Sequence, residues 1–564
     1  MEEYMSPLVS YVSVLLDSIE YLPPHWKTPA VAYGVVQTLV AATLLNVCFA
    51  LGLFVFHRTL LRQKGTPPFE GVPLAPDVHW LVGHAYAIWD YRMSLTAKFN
   101  RLFVDVVNEM GLGSVYMGFS PFLVVTRAED VQTVLRTSST TALSLQVRRH
   151  YARRAGGHEA LAHLAQGKVW KAKRQFVHKV FMRNLENCTE GFIKVAYDLS
   201  AAMLAKIRHS GCRNVKGGPM TFLFDMERLT TLAMFDNFGV MAFGSDFECC
   251  KNLREHKISE AIAFQFDDFE RRVKDVFNPA SQLYSIPTPH NLRRRTADET
   301  IRSFYRGKIH ERLAGTTKGN QTDVLSCLKT HLETSKEATI DSAVELLQTL
   351  FNGATTTSAG TLMFALYAVS LDSTVEERCL EEIDRVIGPR HKNNRKFNPK
   401  DLHYCRAVIM ETVRLYPSIP VNTRVMEVET EVGGKTFAPG TKVIIPVFSV
   451  QRDARHFPKP TMFIPERWVQ RKKDGSWDEV GGVGGGEIAP ANLEAFVAFS
   501  SGGRNCVGQR LAVYQTTIAL AILIRDLQFK VQDKYVMDLY YEGITMRPRH
   551  GMPMECTERC EICS

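Results

Sequence analysis

The chain has 564 residues, of which 45% are hydrophobic and 23% charged. That balance excludes an intrinsically disordered protein, because such chains combine few apolar residues with a high net charge. The formal net charge of +9 suits an anionic membrane or an acidic protein partner, and the shortness of the basic loops argues against a nucleic-acid-binding protein.

The first predicted element is a membrane anchor at residues 31–57. No residue from 31 to 56 is charged, and about 20 apolar residues are enough to span a bilayer core. Basic residues follow the run at once, whereas acidic residues dominate before it. The positive-inside rule therefore places residues 1–30 in the lumen and the rest of the chain in the cytosol. The late start disfavours a cleaved signal peptide; a buried core helix is the alternative.

A basic, Pro-rich linker is predicted at residues 58–76, because proline cannot continue a helix and stiffens the chain. One large domain at residues 77–550 is then predicted to be mainly α with small β-sheets. The glycine-rich run at residues 481–486 is expected to be a surface insertion. Apolar periodicity predicts strands at 115–126, helices through 131–371, and further strands at 425–432 and 442–447.

A helix predicted over residues 344–371 is interrupted in its middle by the segment NGATTTS, which begins at Asn352. Glycine and threonine are poor in a helix interior, each weakening it by up to about 1 kcal/mol. Threonine hydroxyls also bond back to the preceding turn and bend a helix. We therefore expect a local opening with a polar notch.

Two further motifs rely on helical spacing. Glu411 and Arg414 are three residues apart, and Trp170 and Arg174 are four apart, so each pair shares one helix face. An exposed Glu–Arg pair of this kind is worth little by itself.

The most specific motif is the segment FSSGGRNCVG, whose cysteine is Cys506. Gly502 and Gly508 allow the backbone to turn tightly and to approach a flat ligand. The cysteine precedes a predicted helix, whose N–H groups and dipole favour a thiolate. Arg504 can reach a carboxylate, and Phe499 can shield the sulfur from water. A dry thiolate of this kind suits an iron centre that cleaves an O–O bond; a buried structural cysteine is the alternative.

These motifs resemble those of the cytochrome P450 family over roughly residues 67–552. The segment around Cys506 resembles the family's haem-binding loop, and ETVR at 411–414 resembles its ExxR motif. The segment PERW resembles the PERF element, whose arginine, here Arg467, supplies a third charged partner in a structural core. The resemblance implies a P450-like fold and a haem b whose iron takes Cys506 as its axial ligand. It also implies that the haem propionates are bound by Trp170, Arg174 and Arg424.

The segment NGATTT resembles the family's AGx(D/E)TT, which implies that Thr356 steadies iron-bound dioxygen and its protonation. Asn352 replaces the usual alanine, and Thr355 stands where an acid that relays protons is common. The resemblance therefore implies that protons pass through hydroxyl groups, including that of Thr355, and water. Some sterol-demethylating members also lack the acid, which favours a sterol slightly over a fatty-acid-like lipid as substrate.

The implied reaction inserts one oxygen atom of O2 into a lipophilic substrate. Electrons would come from NADPH through a flavoprotein of the NADPH–cytochrome P450 reductase type, whose acidic face docks on a basic surface. The implied location is the endoplasmic reticulum membrane, with one span and a cytosolic catalytic domain. Helical residues 261–277 are expected to roof the substrate pocket. The alternatives are a haem-thiolate isomerase or dehydratase that acts on lipid hydroperoxides without a reductase, and a non-enzymatic haem-binding membrane protein.

The chain ends in a predicted cysteine-containing tail at residues 551–564. Cys556, Cys560 and Cys563 have the CxxxCxxC spacing of radical iron–sulfur enzymes. A cluster needs a folded cavity around it, so a flexible, thiol-bearing tail is expected instead. The other nine of the twelve cysteines are scattered along the chain, as is typical of a protein from a reducing compartment.

Overall fold

The computed structural model divides the chain into two compact units, Met1–Pro68 and Phe69–Ser564. The glycine-rich run at 481–486, Phe277, Cys560 and Cys563 lie outside the described residues. The structure describes residues 10, 12–14, 28–61, 67–76, 84, 93–117, 120–138, 161, 167–210, 212–213, 219–274, 286–316, 323–334, 338–390, 396–479, 489–541 and 545–559.

The first unit contains helix α1 (Pro29–Leu61). Its stretch Ala30–Gly52 has 23 residues and is long and apolar enough to cross a membrane. Two polar side chains within it are satisfied inside the helix, because the hydroxyls of Thr38 and Thr43 donate to carbonyls four residues earlier, at 2.8 and 2.6 Å. Most of the stretch is exposed in the structure, which disfavours the alternative of a buried core helix.

The second unit is mainly helical, as predicted. Its helices are α2 (Leu95–Phe99), α3 (Ala128–Thr137), α4 (Lys168–Asn187), α5 (Thr189–Ser210), α6 (Met226–Phe243), α7 (Cys249–Asn252), α8 (Ser259–Lys274), α9 (Pro289–Leu313), α10 (Val324–Thr334), α11 (Ile340–Ala354), α12 (Thr356–Ser370), α13 (Ser373–Val386), α14 (His403–Leu415), α15 (Val447–Val450) and α16 (Gln509–Asp526).

The strands form small sheets. The strands are β1 (Leu112–Met117), β2 (Ser120–Val125), β3 (Cys212–Arg213), β4 (Met220–Asp225), β5 (Asn422–Val425), β6 (Thr430–Val432), β7 (Lys435–Phe437), β8 (Lys442–Ile445), β9 (Val469–Arg471), β10 (Trp477–Glu479), β11 (Leu527–Val531), β12 (Leu539–Tyr541), β13 (Met546–Pro548) and β14 (Pro553–Glu558). One sheet has the order β1-β2-β8-β5 and is antiparallel except for the parallel pair β2 and β8; another has the order β11-β14-β4-β3, and among the described residues three pairs stand alone. Strands β3 and β4 are additions to the prediction, since they lie in a stretch that the periodicity predicts to be helical.

Helices α12 and α16 form the centre of the second unit. Most side chains of both helices are buried on every face, as expected of helices that are apolar all round. Gln515 of α16 donates to the hydroxyl of Ser358 on α12 at 3.1 Å. The two segments with the most specific motifs, around Thr356 and Cys506, therefore lead directly into two helices that pack against each other.

The expectation of a flexible C-terminal tail is wrong over Pro553–Glu558. These residues form β14, which pairs with β11 on one side and β4 on the other. Cys556 is fully buried, and burial raises the pKa of its thiol. Arg208 and Arg390 hold the Glu558 carboxylate at 2.6 and 2.8 Å. The inward side chains of Met554 and Cys556 follow the period of two that marks a strand, a signal too short to be seen among the polar residues around it.

Candidate active site

The Cys506 loop is a tight turn that precedes α16, as predicted. The backbone N–H of Cys506 donates to the carbonyl of Phe499 at 2.8 Å. Gly502 has a φ of +67°, and a Cβ there would lie 2.5 Å from the carbonyl oxygen of Leu135. Glycine is therefore required at this position both by conformation and by close backbone packing. A Cβ on Gly508 would lie 4.0 Å from Cys506 Sγ, so that glycine keeps the space beside the sulfur open.

The Cys506 side chain has an accessible surface but is desolvated by the protein around it; such a group lines an internal recess. Desolvation raises the pKa of its thiol, against the lowering effects of the Gly508 N–H, the charge of Arg174 and the Gln509 N–H. The N–H groups at the start of α16 thus favour a thiolate, as expected from the sequence, but desolvation outweighs them. A bound metal cation supplies the charge that stabilises a thiolate in such a place.

Trp170 and Arg174 of α4 lie against this loop. The guanidinium of Arg504 stacks over the Trp170 ring at 4.1 Å, and that of Arg174 lies 5.6 Å from the same ring. Arg174 donates to the carbonyl of Asn505 at 2.9 Å and to its side-chain oxygen. Arg174 thus ties α4 to the residue before Cys506, while contact of Trp170 and Arg174 with a propionate stays a prediction.

Arg424 of β5 is a buried cation beside the loop. It is 2% exposed and donates to Ser500 Oγ at 2.8 Å and to the carbonyl of Thr423 at 2.9 Å. Burial, and then the charge of Arg504, lowers the pKa of Arg424 to about 10. Its Nε is buried without a hydrogen-bond partner, and in the described part of the chain no carboxylate pairs with it. A buried guanidinium of this kind suits a carboxylate ligand.

Glu411, Arg414 and Arg467 form the predicted charged core, and all three are fully or almost fully buried. Arg414 donates twice to the Glu411 carboxylate, at 2.8 and 2.7 Å, and Arg467 Nε donates at 3.1 Å. The indole N–H of Trp468 also donates to Glu411, at 3.0 Å. Arg414 further bonds three carbonyls of the segment that follows α15, at 2.7–2.9 Å. These hydrogen bonds fix α14 to the segment that follows α15 and to Arg467. The cluster carries no reactive group of its own.

The predicted interruption of the long helix is present at Thr355, which separates α11 from α12. Its hydroxyl donates to the carbonyl of Phe351 at 2.8 Å, and the hydroxyl of Thr357 donates to that of Gly353 at 2.7 Å. The hydroxyl of Thr356 lies 3.4 Å from the carbonyl of Asn352, which is a long, weak contact. Of the three threonine hydroxyls, that of Thr356 therefore makes the weakest hydrogen bond to the helix.

A cavity of about 390 Å³ opens beside this interruption, and both Thr355 and Thr356 line it. Charged side chains line it as well, among them Arg228 of α6 and Arg547 of β13. The sequence does not predict either of these residues, or Ser418 in the loop after α14. No local pattern marks a side chain that tertiary packing brings to a cavity. The apolar walls of the cavity are formed by Leu232, Phe235, Ile262, Phe266, Phe351 and Met363.

Helix α8 forms one wall of the cavity, which supports the expected roof over its described residues. Ile262 and Phe266 line the cavity. On the other face of the helix, Asp268 accepts hydrogen bonds from Arg294 at 2.8 Å and from His290 at 2.7 Å. Two adjacent acidic residues of this helix are therefore divided, with Asp268 in a buried ion pair with α9 and Asp267 on the cavity side.

The residues around Cys506 fit a haem. The recess holds a sulfur with backbone N–H groups directed at it, and Arg424 next to it has a buried, unpartnered N–H. A haem brings an iron cation for the sulfur and carboxylates for the guanidinium groups. The Cys506 sulfur and the unpaired N–H of Arg424 thus both match one ligand, a haem.

Comparison with known proteins gives the same family as the motifs. The family model for cytochrome P450 matches residues 73–553. Cytochrome P450 4V2 of Rattus norvegicus is 24% identical over 547 residues, which cover 94% of this chain and 96% of the relative. Probable cytochrome P450 4d20 of Drosophila melanogaster is 28% identical over 393 residues, or 64% of this chain and 70% of the relative. Cytochrome P450 4V2 of Homo sapiens is 30% identical over 211 residues, or 37% of each chain.

Proposed function

The chain belongs to the cytochrome P450 family, and from that premise we propose that it is a membrane-anchored monooxygenase with Cys506 as the axial ligand of its haem iron. Members of the family are oxidoreductases that use haem iron, O2 and electrons, and they generally take lipophilic substrates. The observation that carries the proposal is the Cys506 loop, where N–H groups of Gly508 and Gln509 act on the sulfur and the buried Arg424 is bound to Ser500.

The proposed haem contacts are of two kinds, those to the iron cation and those to the propionate anions. Cys506 would hold the iron, and Arg424 and Arg504, with Trp170 stacked on the latter, would bind the propionates. Arg174 holds the loop through Asn505. When bound, the haem supplies the chemistry that activates O2 with two electrons and two protons.

Thr356 is the residue proposed to hold and pass a proton at the oxygen site. Its hydroxyl lies 3.4 Å from the carbonyl of Asn352, whereas the Thr355 hydroxyl is bound at 2.8 Å to that of Phe351. A donor already engaged in a short hydrogen bond is less available to a ligand. Thr355 therefore supports the helix opening, and Thr356 acts in the cavity that both residues line.

The proposed substrate is a sterol or a fatty-acid-like lipid. The cavity has apolar walls from α6, α8 and α12, and helix α1 has the length of a membrane anchor, which supports a substrate dissolved in a membrane. The same proposal places residues 31–57 across the endoplasmic reticulum membrane with the catalytic domain in the cytosol. An NADPH-dependent flavoprotein reductase is the proposed electron donor.

Carbon monoxide added to the reduced, purified full chain tests the proposal. We expect the red-shifted Soret band of thiolate-ligated haem in the wild type and its loss in Cys506→Ala. A band that survives Cys506→Ala, or one that is absent from folded wild type, would refute the ligand assignment. Product formation that requires both NADPH and O2 supports the monooxygenase; turnover of lipid hydroperoxides without a reductase would indicate the isomerase or dehydratase instead. Titration of sterols and fatty acids against the ferric spin state then identifies the substrate class.

A further inference from the structure

Gly360 lies inside α12, four residues after Thr356. Glycine is among the least favourable residues for a helix interior, because it loses more backbone freedom on folding than any other residue. Such a glycine is explained if a neighbouring chain approaches too closely for a side chain, or if the missing side chain leaves space that the protein uses.

Close packing explains two other helical glycines of this chain, Gly191 and Gly239, but not Gly360. A Cβ on Gly191 would overlap Val240 Cγ1, and one on Gly239 would lie 2.7 Å from the carbonyl oxygen of Ser245. A Cβ on Gly360 would meet a single atom within 4 Å, the Ser418 hydroxyl at 3.7 Å, which is an ordinary van der Waals distance. The fold itself would therefore accept alanine at position 360.

The space next to Gly360 belongs to the cavity. Gly360 lines it together with Thr356, Ala359 and Met363. Thr356 and Gly360 are one helical turn apart and share a face. Gly360 is partly accessible, although Ala359 and Thr361 on either side of it are buried, because its face is directed at the cavity.

The hydroxyls nearest to Gly360 use their protons within the protein. Ser418, the nearest polar group, donates its hydroxyl to the carbonyl of Thr357 at 2.9 Å. The Thr361 hydroxyl lies 3.3 Å from it and also bonds the same carbonyl, at 3.0 Å. Because both hydroxyls donate to the carbonyl of Thr357, they offer no free donor to a ligand, and the notch at Gly360 suits a hydrocarbon group.

We propose that Gly360 is a specificity-determining residue, whose missing side chain reserves space for a ring or a branched hydrocarbon group of the substrate one turn away from Thr356. An unbranched chain does not need this space. The inference rests on the proposed function, because it takes Thr356 as the residue nearest the reacting oxygen.

The test uses Gly360→Ala and Gly360→Val in the full, haem-loaded chain, with Gly307→Ala as the matched control. Gly307 lies inside α9, and a Cβ there would meet nothing within 4 Å; it does not line the cavity. The probes are imidazole, 1-butylimidazole and 4-phenylimidazole, whose binding to the iron is read from the shift of the Soret band. This readout requires neither the natural substrate nor catalytic turnover.

We expect Gly360→Val to weaken the binding of 4-phenylimidazole by about tenfold or more, since a single methylene in a filled pocket already has an effect of about tenfold and valine adds an isopropyl group. Gly360→Ala should act in the same direction, and imidazole and 1-butylimidazole should bind all variants as they bind the wild type. Unchanged binding of 4-phenylimidazole by both variants would overturn the inference, as would an equal loss for all three probes.

The melting temperature separates a role in specificity from a role in packing. We expect both Gly360→Ala and Gly307→Ala to keep or raise it, because alanine favours a helix over glycine. A marked fall in Gly360→Ala alone would show that the glycine is needed for packing and would overturn the inference. Failure of the wild type to bind imidazole would instead refute the haem site, and with it the premise of the inference.

Discussion

The division of roles between Thr355 and Thr356 can be tested by replacing each with alanine. The Thr355 side chain is 2% exposed, and its hydroxyl donates to the carbonyl of Phe351 at 2.8 Å. The Thr356 hydroxyl is 3.4 Å from the carbonyl of Asn352, and the residue lines the cavity. The two substitutions are chemically identical and adjacent, so each serves as the control for the other.

The structure gives opposite expectations for stability and for catalysis. A net intramolecular hydrogen bond contributes roughly 0.5–1.5 kcal/mol, so Thr355→Ala should lower the free energy of unfolding by about 1 kcal/mol. The bond of Thr356 is too long to contribute as much, and alanine gains up to about 0.7 kcal/mol in helix propensity. Thr356→Ala should therefore leave stability unchanged within about 0.5 kcal/mol or raise it. A positioned proton donor contributes roughly 100-fold or more to a rate. The product yield of Thr356→Ala should therefore fall by at least about tenfold.

The assay measures NADPH consumed, product formed and hydrogen peroxide released in the presence of a flavoprotein reductase. We expect Thr356→Ala to divert electrons from product to peroxide, Thr355→Ala to remain largely coupled, and Thr356→Ser, which keeps the hydroxyl, to recover much of the product yield. Greater uncoupling in Thr355→Ala than in Thr356→Ala would refute the reasoning, as would wild-type coupling in Thr356→Ala.

Three further substitutions test the fold around the site. Tyr305→Phe should raise the free energy of unfolding in urea by about 1 kcal/mol, because the Tyr305 hydroxyl is buried without a partner; a loss of stability would show that the hydroxyl is bonded. Glu411→Gln should destabilise the protein by about 3–5 kcal/mol and abolish haem retention, since it leaves two buried guanidinium groups without their carboxylate; a stable, haem-loaded variant would contradict this role. Arg208, and then Arg390, lowers the pKa of Glu558 below its usual 4.5. The stability that Glu558 contributes, up to about 1 kcal/mol for such partly exposed pairs, should therefore be fully present above about pH 4.5 and be lost as the pH falls further. The difference in stability between wild type and Glu558→Gln should shrink over that range, and a difference that grows on acidification would reverse the assigned sign.

The sequence predicted those parts of the site that depend on local spacing. Glu411 and Arg414 pair because they are three residues apart on one helix, and the threonine run interrupts its helix because its hydroxyls bond back four residues. Neither prediction required knowledge of distant contacts. The turn at Gly502 was likewise visible, although the carbonyl of Leu135 that makes glycine necessary there was not.

The walls of the cavity could not be predicted in this way. Arg547, Ser418 and Phe235 come from segments far apart in the chain and meet only through tertiary packing. The final strand was missed for a related reason. Cys556 is buried because β14 lies between β11 and β4. The short sequence pattern of β14 does not show which strands pair with it.

The electrostatics of the Cys506 loop connect cofactor binding to folding. Desolvation opposes the thiolate at Cys506, and burial, together with the charge of Arg504, opposes the charge of Arg424. The loop thus brings together a sulfur that needs a cation and, in Arg424, a buried guanidinium with an unpaired N–H, and each feature alone destabilises the fold. A haem carries the iron and the carboxylates on one rigid frame, so that its binding removes both defects together. Because a ligand that binds the folded state alone stabilises it, the protein should owe a substantial part of its stability to the haem, and Arg424→Leu should lessen the increase in melting temperature that haem gives.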